Sequence, residues 1–236
     1  MAQSGCILNI RQLRATIPLL TPMSRILCIA IFAINLLFLL PRQQALQNQA
    51  FSATEEAPAS IGLVLDNSKS MRDKRDAAVA AMLQLVQTAG PKDEFFVVNF
   101  NQDPHLDQDF TADKDSVKKA LQRADASGGT ALYDALLASG DHLRKGSKYS
   151  RKFLVLLTDG SDNSSYSSSA AVIAAFQKSD APIVFCIGIF ELGEEQGARN
   201  MLEKIAKQTG GNAYFIKKSK QLIEIMPKVA EQMHKR

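Results

Sequence analysis

At 236 residues and 46% hydrophobic, the chain has room for one ordinary domain plus an extension. A folded unit of roughly 180 residues buries about 70% of its unfolded surface, so no covalent or metal staple is needed to hold it together. The net charge of +4 is confined to residues 1–50, which carry Arg11, Arg14, Arg25 and Arg42 and no acid; the rest is balanced, which excludes a basic nucleic-acid footprint.

The first 50 residues read as a leader. Arg25 precedes an apolar run, Ile26–Leu40, closed by Pro41 and a polar stretch. The run is shorter than the roughly 20 residues of a membrane helix and fits the core of a signal peptide with a positive flank. Met23 would be a compact start. Ala50 is a plausible last residue before cleavage, but Asn48 suits a cleavage site poorly. Two readings therefore stand: a signal peptide removed near Phe51, or an uncleaved signal anchor. Cys28 opens the apolar run instead of closing it, which argues against a lipoprotein anchor. Either reading exports the remainder, to the periplasm, to the medium or to a membrane held by the N-terminal segment. No second apolar span follows residue 60, so no C-terminal anchor is expected.

Residues 51–60 read as a polar linker, and the domain as 61–236. Strands are expected at 61–66, 94–100, 152–159, 182–190 and 212–217. PHLDQDFT (104–111), polar and opened by a proline, reads as a short edge strand. Helices are expected at 72–89, where Val79, Met82, Leu83 and Val86 recur at helical spacing, and at 113–124, 131–145, 169–179, 197–208 and from 220 onward. Pro227 should kink or split the last one. Cys186 lies within an apolar strand and reads as a small buried hydrophobe; with Cys6 and Cys28 in the leader, no cysteine-based metal site or disulfide framework can form in the domain. Strands apolar at almost every residue must be covered on both faces. Alternating with helices, they imply an α/β fold: a doubly wound, mostly parallel central sheet with one short antiparallel edge strand and helices on both faces.

Ligands of open α/β sheets bind at the carboxyl ends of the strands, where strand order reverses. Three polar clusters fall at such places. Asp66, Ser68 and Ser70 (DNSKS) follow the first strand. Thr130 (SGGTALYD) lies in a glycine-bearing turn between helices. Asp159 (LLTDGSDN) ends the central apolar strand. All are short, hard oxygen donors, suited to Mg²⁺ more than to a soft metal. Two carboxylates only neutralise a divalent ion, and the hydroxyls add no charge. Such an ion stays electrophilic and has room for one oxygen from outside.

The three segments DNSKS, SGGTALYDAL and LLTDGSDN together resemble the metal-ion-dependent adhesion site of von Willebrand factor type A domains, in that family's order and spacing. The resemblance covers about residues 60–235. It implies a Mg²⁺ site, with Mn²⁺ or Ca²⁺ as alternatives, and a protein partner that offers an exposed Asp or Glu. Ser68, Ser70 and Thr130 would coordinate directly or nearly so, and Asp66 and Asp159 directly or through water. Asp162, Asn67 and Gly129 are candidates to brace these ligands. Pro227 departs from the family pattern in a helix that shifts between affinity states in some relatives, which puts switching in doubt here.

Plainer roles stand beside these. Asp66 alone suits a helix N-cap, and Gly128 and Gly129 suit a turn. Asp162 and Asn163 could both brace the ligands, but read more simply as a solvated loop. Asp134 reads as an acid in a helix's first turn, and Tyr133 as either site rim or core. His105, His142 and His234 lack metal-site spacing and read as surface. Three functions compete: a metal-bridged docking module, which is not an enzyme; a metal-dependent phosphohydrolase with Asp66 as nucleophile; and a scaffold with a vestigial site. The enzyme is disfavoured because Ser68 stands where a second acid would be required, and no phosphate loop, dinucleotide fingerprint or nucleophile elbow is present.

Overall fold

The computed structural model describes residues 57–123, 125–190 and 196–236. The leader, and the linker up to residue 56, lie outside the described residues.

Among the described residues, six strands form one sheet: β1 (Ala59–Asp66), β2 (Glu94–Phe100), β3 (Pro104–Thr111), β4 (Arg151–Thr158), β5 (Ile183–Ile189) and β6 (Ala213–Ile216). Their order is β3-β2-β1-β4-β5-β6. All neighbours are parallel except β2 and β3, which pair antiparallel with register shifts near Val97. The doubly wound α/β sheet with a single antiparallel edge is therefore as expected. The helices are α1 (Arg75–Thr88), α2 (Lys114–Arg123), α3 (Leu132–Gly146), α4 (Ser169–Phe176), α5 (Gln196–Thr209) and α6 (Leu222–His234).

Alternation along the strands sorts the core into two layers. Leu63, Leu65, Phe95, Val97, Val155 and Leu157 pack with α1, α2 and α6. Val64, Phe96, Val98, Leu154 and Leu156 pack with α3, α4 and α5. This is why the central strands look uniformly apolar: each successive side chain enters one core or the other. Cys186 is fully buried in the second layer, and burial pushes its thiol up to about 12, so it is inert packing.

Several boundaries differ from expectation. β1 starts at Ala59, inside the expected linker, because Asp93 Oδ1 accepts the Ala59 N–H (2.7 Å). α1 starts at Arg75, not Arg72, because Lys69–Met71 forms a separate 3₁₀ turn. α4 is capped by Ser168, whose Oγ accepts the Ala171 N–H (3.2 Å), and ends at Phe176. Pro227 does not split α6, which runs through it. The carbonyl that loses its helical partner is that of Ile223, an exposed residue where water can replace the missing N–H. Among the described residues, no helix is long and apolar enough to cross a membrane.

β1 is flanked by β2 on one side and β4 on the other. The chain winds outward from β1 in one direction and then from β4 in the other. The reversal therefore lies between β1 and β4, and their carboxyl ends carry Asp66 and Asp159.

Candidate functional site

The parallel register pairs Leu65 with Leu157, so Asp66 falls beside Thr158 and Asp159 one residue beyond. Asp66 is fully buried. Its Oδ1 accepts the Ser68 N–H (2.7 Å), the bond that folds the chain back after the strand. Its Oδ2 accepts the Thr158 hydroxyl (2.6 Å). Both donors are neutral. Burial pushes the Asp66 carboxyl up to about 6; the hydrogen bonds from Thr158 and Ser68 oppose the shift, and the nearby Asp159 charge adds to it.

The turn after β1 links the two carboxylates. Ser68 Oγ and Ser70 Oγ lie 3.1 Å apart. The Ser70 hydroxyl donates to Asp159 Oδ1 (2.7 Å). Asp159 Oδ2 accepts from the Lys74 ammonium, an ion pair in which the Asp159 side chain is fully buried and that of Lys74 is 34% exposed. Lys74 follows Ser70 by four residues in a run of turns, which brings both side chains to one carboxylate.

Thr130 arrives from the opposite side. Gly128 has φ +73°, a left-handed conformation that glycine adopts at least cost. Its carbonyl accepts the Lys69 N–H (3.1 Å), pinning this turn to the one after β1. Gly129 lies so close to Ser164 Oγ and Asn163 Oδ1 that a side chain there would displace them. Asn163 Oδ1 accepts the Thr130 N–H (2.8 Å), and the Thr130 carbonyl accepts the Asn163 N–H (3.0 Å). Ser70, Thr130 and Asp159 thus line one cleft of about 500 Å³, with Lys74, Asp162 and Asn163 on its walls. Asp66 and Ser68 are buried behind them, joined through Ser70. Among the described residues, no cluster of three or more His, Cys, Asp or Glu forms, so any metal held here would rely on hydroxyl oxygens.

A family model, the von Willebrand factor type A domain, matches residues 60–228. The chain belongs to the von Willebrand factor type A family. Such domains typically mediate adhesion and protein–protein interaction. Solved structures similar to this chain include a von Willebrand factor type A protein from Catenulispora acidiphila (25% identity, TM-score 0.65, 75% of this chain and 43% of that one). The vWF domain of the type V pili tip protein Mfa5 from Porphyromonas gingivalis is also similar (15%, 0.62, 75% and 95%). So is an aerotolerance-related membrane protein from Bacteroides fragilis (17%, 0.60, 75% and 100%). The chain spans less than half of the Catenulispora protein. No curated protein matches it.

Within this von Willebrand A domain, the bracing residues sort differently from expectation. Asp162 and Asn163 are not a loosely solvated loop: Asp162 Oδ2 accepts the Tyr133 N–H (3.0 Å), and Asn163 holds Thr130. Asn67 turns away from the cleft. Its Nδ2 donates to Asn99 Oδ1 (2.8 Å), and its Oδ1 accepts from Arg75 Nε (3.0 Å). Asp134 accepts the Tyr166 N–H (2.8 Å) and the Ser167 N–H (3.1 Å), so it ties down the serine-rich loop and leaves Tyr166 almost wholly exposed. Tyr133 packs partly against the second core layer. His142 is not plain surface: its ring stacks on Phe110 (centroids 4.9 Å apart), and its Nε2 meets Asp109 Oδ1 at 2.9 Å.

Sequence reasoning missed Thr158 and Lys74. The signal for Thr158 was the strand register, which puts it beside Asp66. The signal for Lys74 was its four-residue offset from Ser70.

Proposed function

We propose that this domain holds one divalent cation, Mg²⁺ before Mn²⁺ or Ca²⁺, and uses it to dock an acidic side chain of a partner protein. Asp66, Ser68, Ser70, Thr130 and Asp159 would hold the ion. The observation that carries the reading is Asp66, a fully buried carboxylate whose hydrogen-bond donors among the described residues are all neutral. A buried charge without a counter-charge is costly, and a cation would relieve that cost. The donor set fits, because every candidate ligand is a hard oxygen and the two carboxylates match a divalent charge. Bound there, the ion would supply an open, electrophilic position for one further oxygen. Asp or Glu of a partner suits that position best.

The domain acts as a docking module and not as an enzyme. A phosphohydrolase would need an acid or base beside Asp66, and the side chains that reach Asp66 and Ser70 are Thr158, Ser68 and Asp159. Asp159, the one acid among them, is itself assigned to the ion and bonds Ser70. Residues 1–50 direct export and either are removed or anchor the domain to a membrane; N-terminal sequencing of the exported protein separates the two.

The test is calorimetric titration with Mg²⁺, Mn²⁺ and Ca²⁺. One saturable site is expected, followed by EDTA-reversible capture of acidic partners. Absence of both would sink the metal reading and leave a scaffold. Mg²⁺-dependent turnover of a phosphate ester, lost in Asp66→Ala, would favour the enzyme.

A further inference from the structure

Lys74 is the charged group that the docking role leaves unexplained. It lies between the Lys69–Met71 turn and α1, on the wall of the cleft. Its ammonium takes Asp159 Oδ2 while the Ser70 hydroxyl takes Oδ1. A candidate metal ligand thus has both oxygens engaged, one of them by a cation belonging to the chain itself. Among the described residues, the other candidate carboxylate, Asp66, is bonded by neutral donors only.

We propose that Lys74 is a built-in competitor for the metal: it neutralises Asp159 in the metal-free domain and thereby sets how tightly the site holds a divalent ion. This rests on the metal reading above. The argument is one of linkage. A bond made in the metal-free state and given up on loading weakens metal affinity by its own free energy. The geometry allows the exchange, because the Lys74 side chain is one-third exposed and its flexible stem can carry the ammonium into water. Asp159, its side chain wholly buried, stays in place. Once displaced, the ammonium remains beside the cleft, where it favours an acidic partner over a basic one.

The experiment uses the full chain and two variants, Lys74→Met and Lys74→Arg. Each is titrated with Mg²⁺ by calorimetry and melted in EDTA and in saturating Mg²⁺. Lys74→Met should bind Mg²⁺ about threefold more tightly or better, the factor a partly exposed ion pair can supply. It should also melt lower than wild type in EDTA, and the gap should close in Mg²⁺. Lys74→Arg keeps the charge and should keep the weaker affinity. Equal or weaker binding by Lys74→Met, with wild type still binding, would overturn the competitor role and leave the metal site standing. If neither wild type nor Lys74→Met binds Mg²⁺, the metal reading and this inference fail together.

Discussion

Asp66 and Asp159 end adjacent strands, one residue apart in register, and face opposite problems. Asp66 is buried with neutral partners, the Ser68 N–H and the Thr158 hydroxyl, and burial pushes its carboxyl up to about 6. Asp159 is equally shielded at its side chain but carries the Lys74 ammonium. Among the described residues, one carboxylate is bonded by neutral groups and the other by a cation. The difference comes from the chain just past each strand. After β1 the chain makes a tight turn of small residues, which brings hydroxyls and N–H groups. After β4 the acid faces that same turn, and with it the lysine just beyond.

On the proposed metal reading, the largest effect that would break this comparison is loss of the ion. Asp66→Asn and Asp159→Asn should each abolish stabilisation by Mg²⁺. At 100 times its dissociation constant, a ligand adds about 2.7 kcal/mol, so the shift in melting temperature is easily read. A persistent Mg²⁺ shift in either variant would remove that residue from the ligand set.

In EDTA the two substitutions should part company. Asp66→Asn removes a buried charge and keeps the oxygen that accepts from Ser68, while the Thr158 hydroxyl can turn toward the Gly160 carbonyl at 3.4 Å. Its metal-free stability should equal or exceed that of wild type. Asp159→Asn strips Lys74 of its partner and should cost about 1 kcal/mol, the upper end for a pair with one exposed member. Urea unfolding of both variants in EDTA decides it. Equal losses would mean that the two acids are not differently balanced.

The same contrast explains what was legible in the sequence. The strands stood out because both faces of the sheet are covered, and the two acids because each ends an apolar run. The doubly wound topology followed from the alternation of strands and helices. Thr158 and Lys74 did not stand out, because their roles depend on register between distant strands and on turns that carry no periodicity. Asn163 sits in a short polar run that looks solvated until the glycine turn is seen packed against it. Asn67 lies within the motif yet points at Asn99, since the backbone alternation that aims Asp66 into the site aims its neighbour away. His142 gave no signal, because its aromatic neighbours Phe96 and Phe110 come from β2 and β3.

Thr130 has its own support, independent of either acid. Asn163→Ala removes the acceptor of the Thr130 N–H. Asn163 is exposed, so water can replace part of the bond, and the cost should be about 1 kcal/mol. Metal affinity should fall as well, because the turn that aims Thr130 loosens. Calorimetry and urea unfolding check both parts; an unchanged Mg²⁺ affinity would mean that Thr130 needs no brace.

Asp134 offers the smallest and most specific test, in the first turn of α3 and away from the two acids, where it holds the Tyr166 loop. Partial burial pulls its pKa up. The hydrogen bonds from Ser167 and the Tyr166 N–H outweigh that, so the carboxyl sits below its ordinary value of 3.8. A depressed carboxyl contributes stability that is present above the unfolded pKa and lost as pH falls through the folded one. Asp134→Asn replaces one of the two accepting oxygens with a donor. It should therefore be less stable than wild type at pH 7 by about 0.5 kcal/mol. The gap should close once the solution is more acidic than the ordinary carboxylate range, because wild-type Asp134 is then protonated too. Urea unfolding of the pair at neutral and acid pH reads the difference directly. A gap that persists in acid would mean that Asp134 holds the Tyr166 loop by shape, without help from its charge.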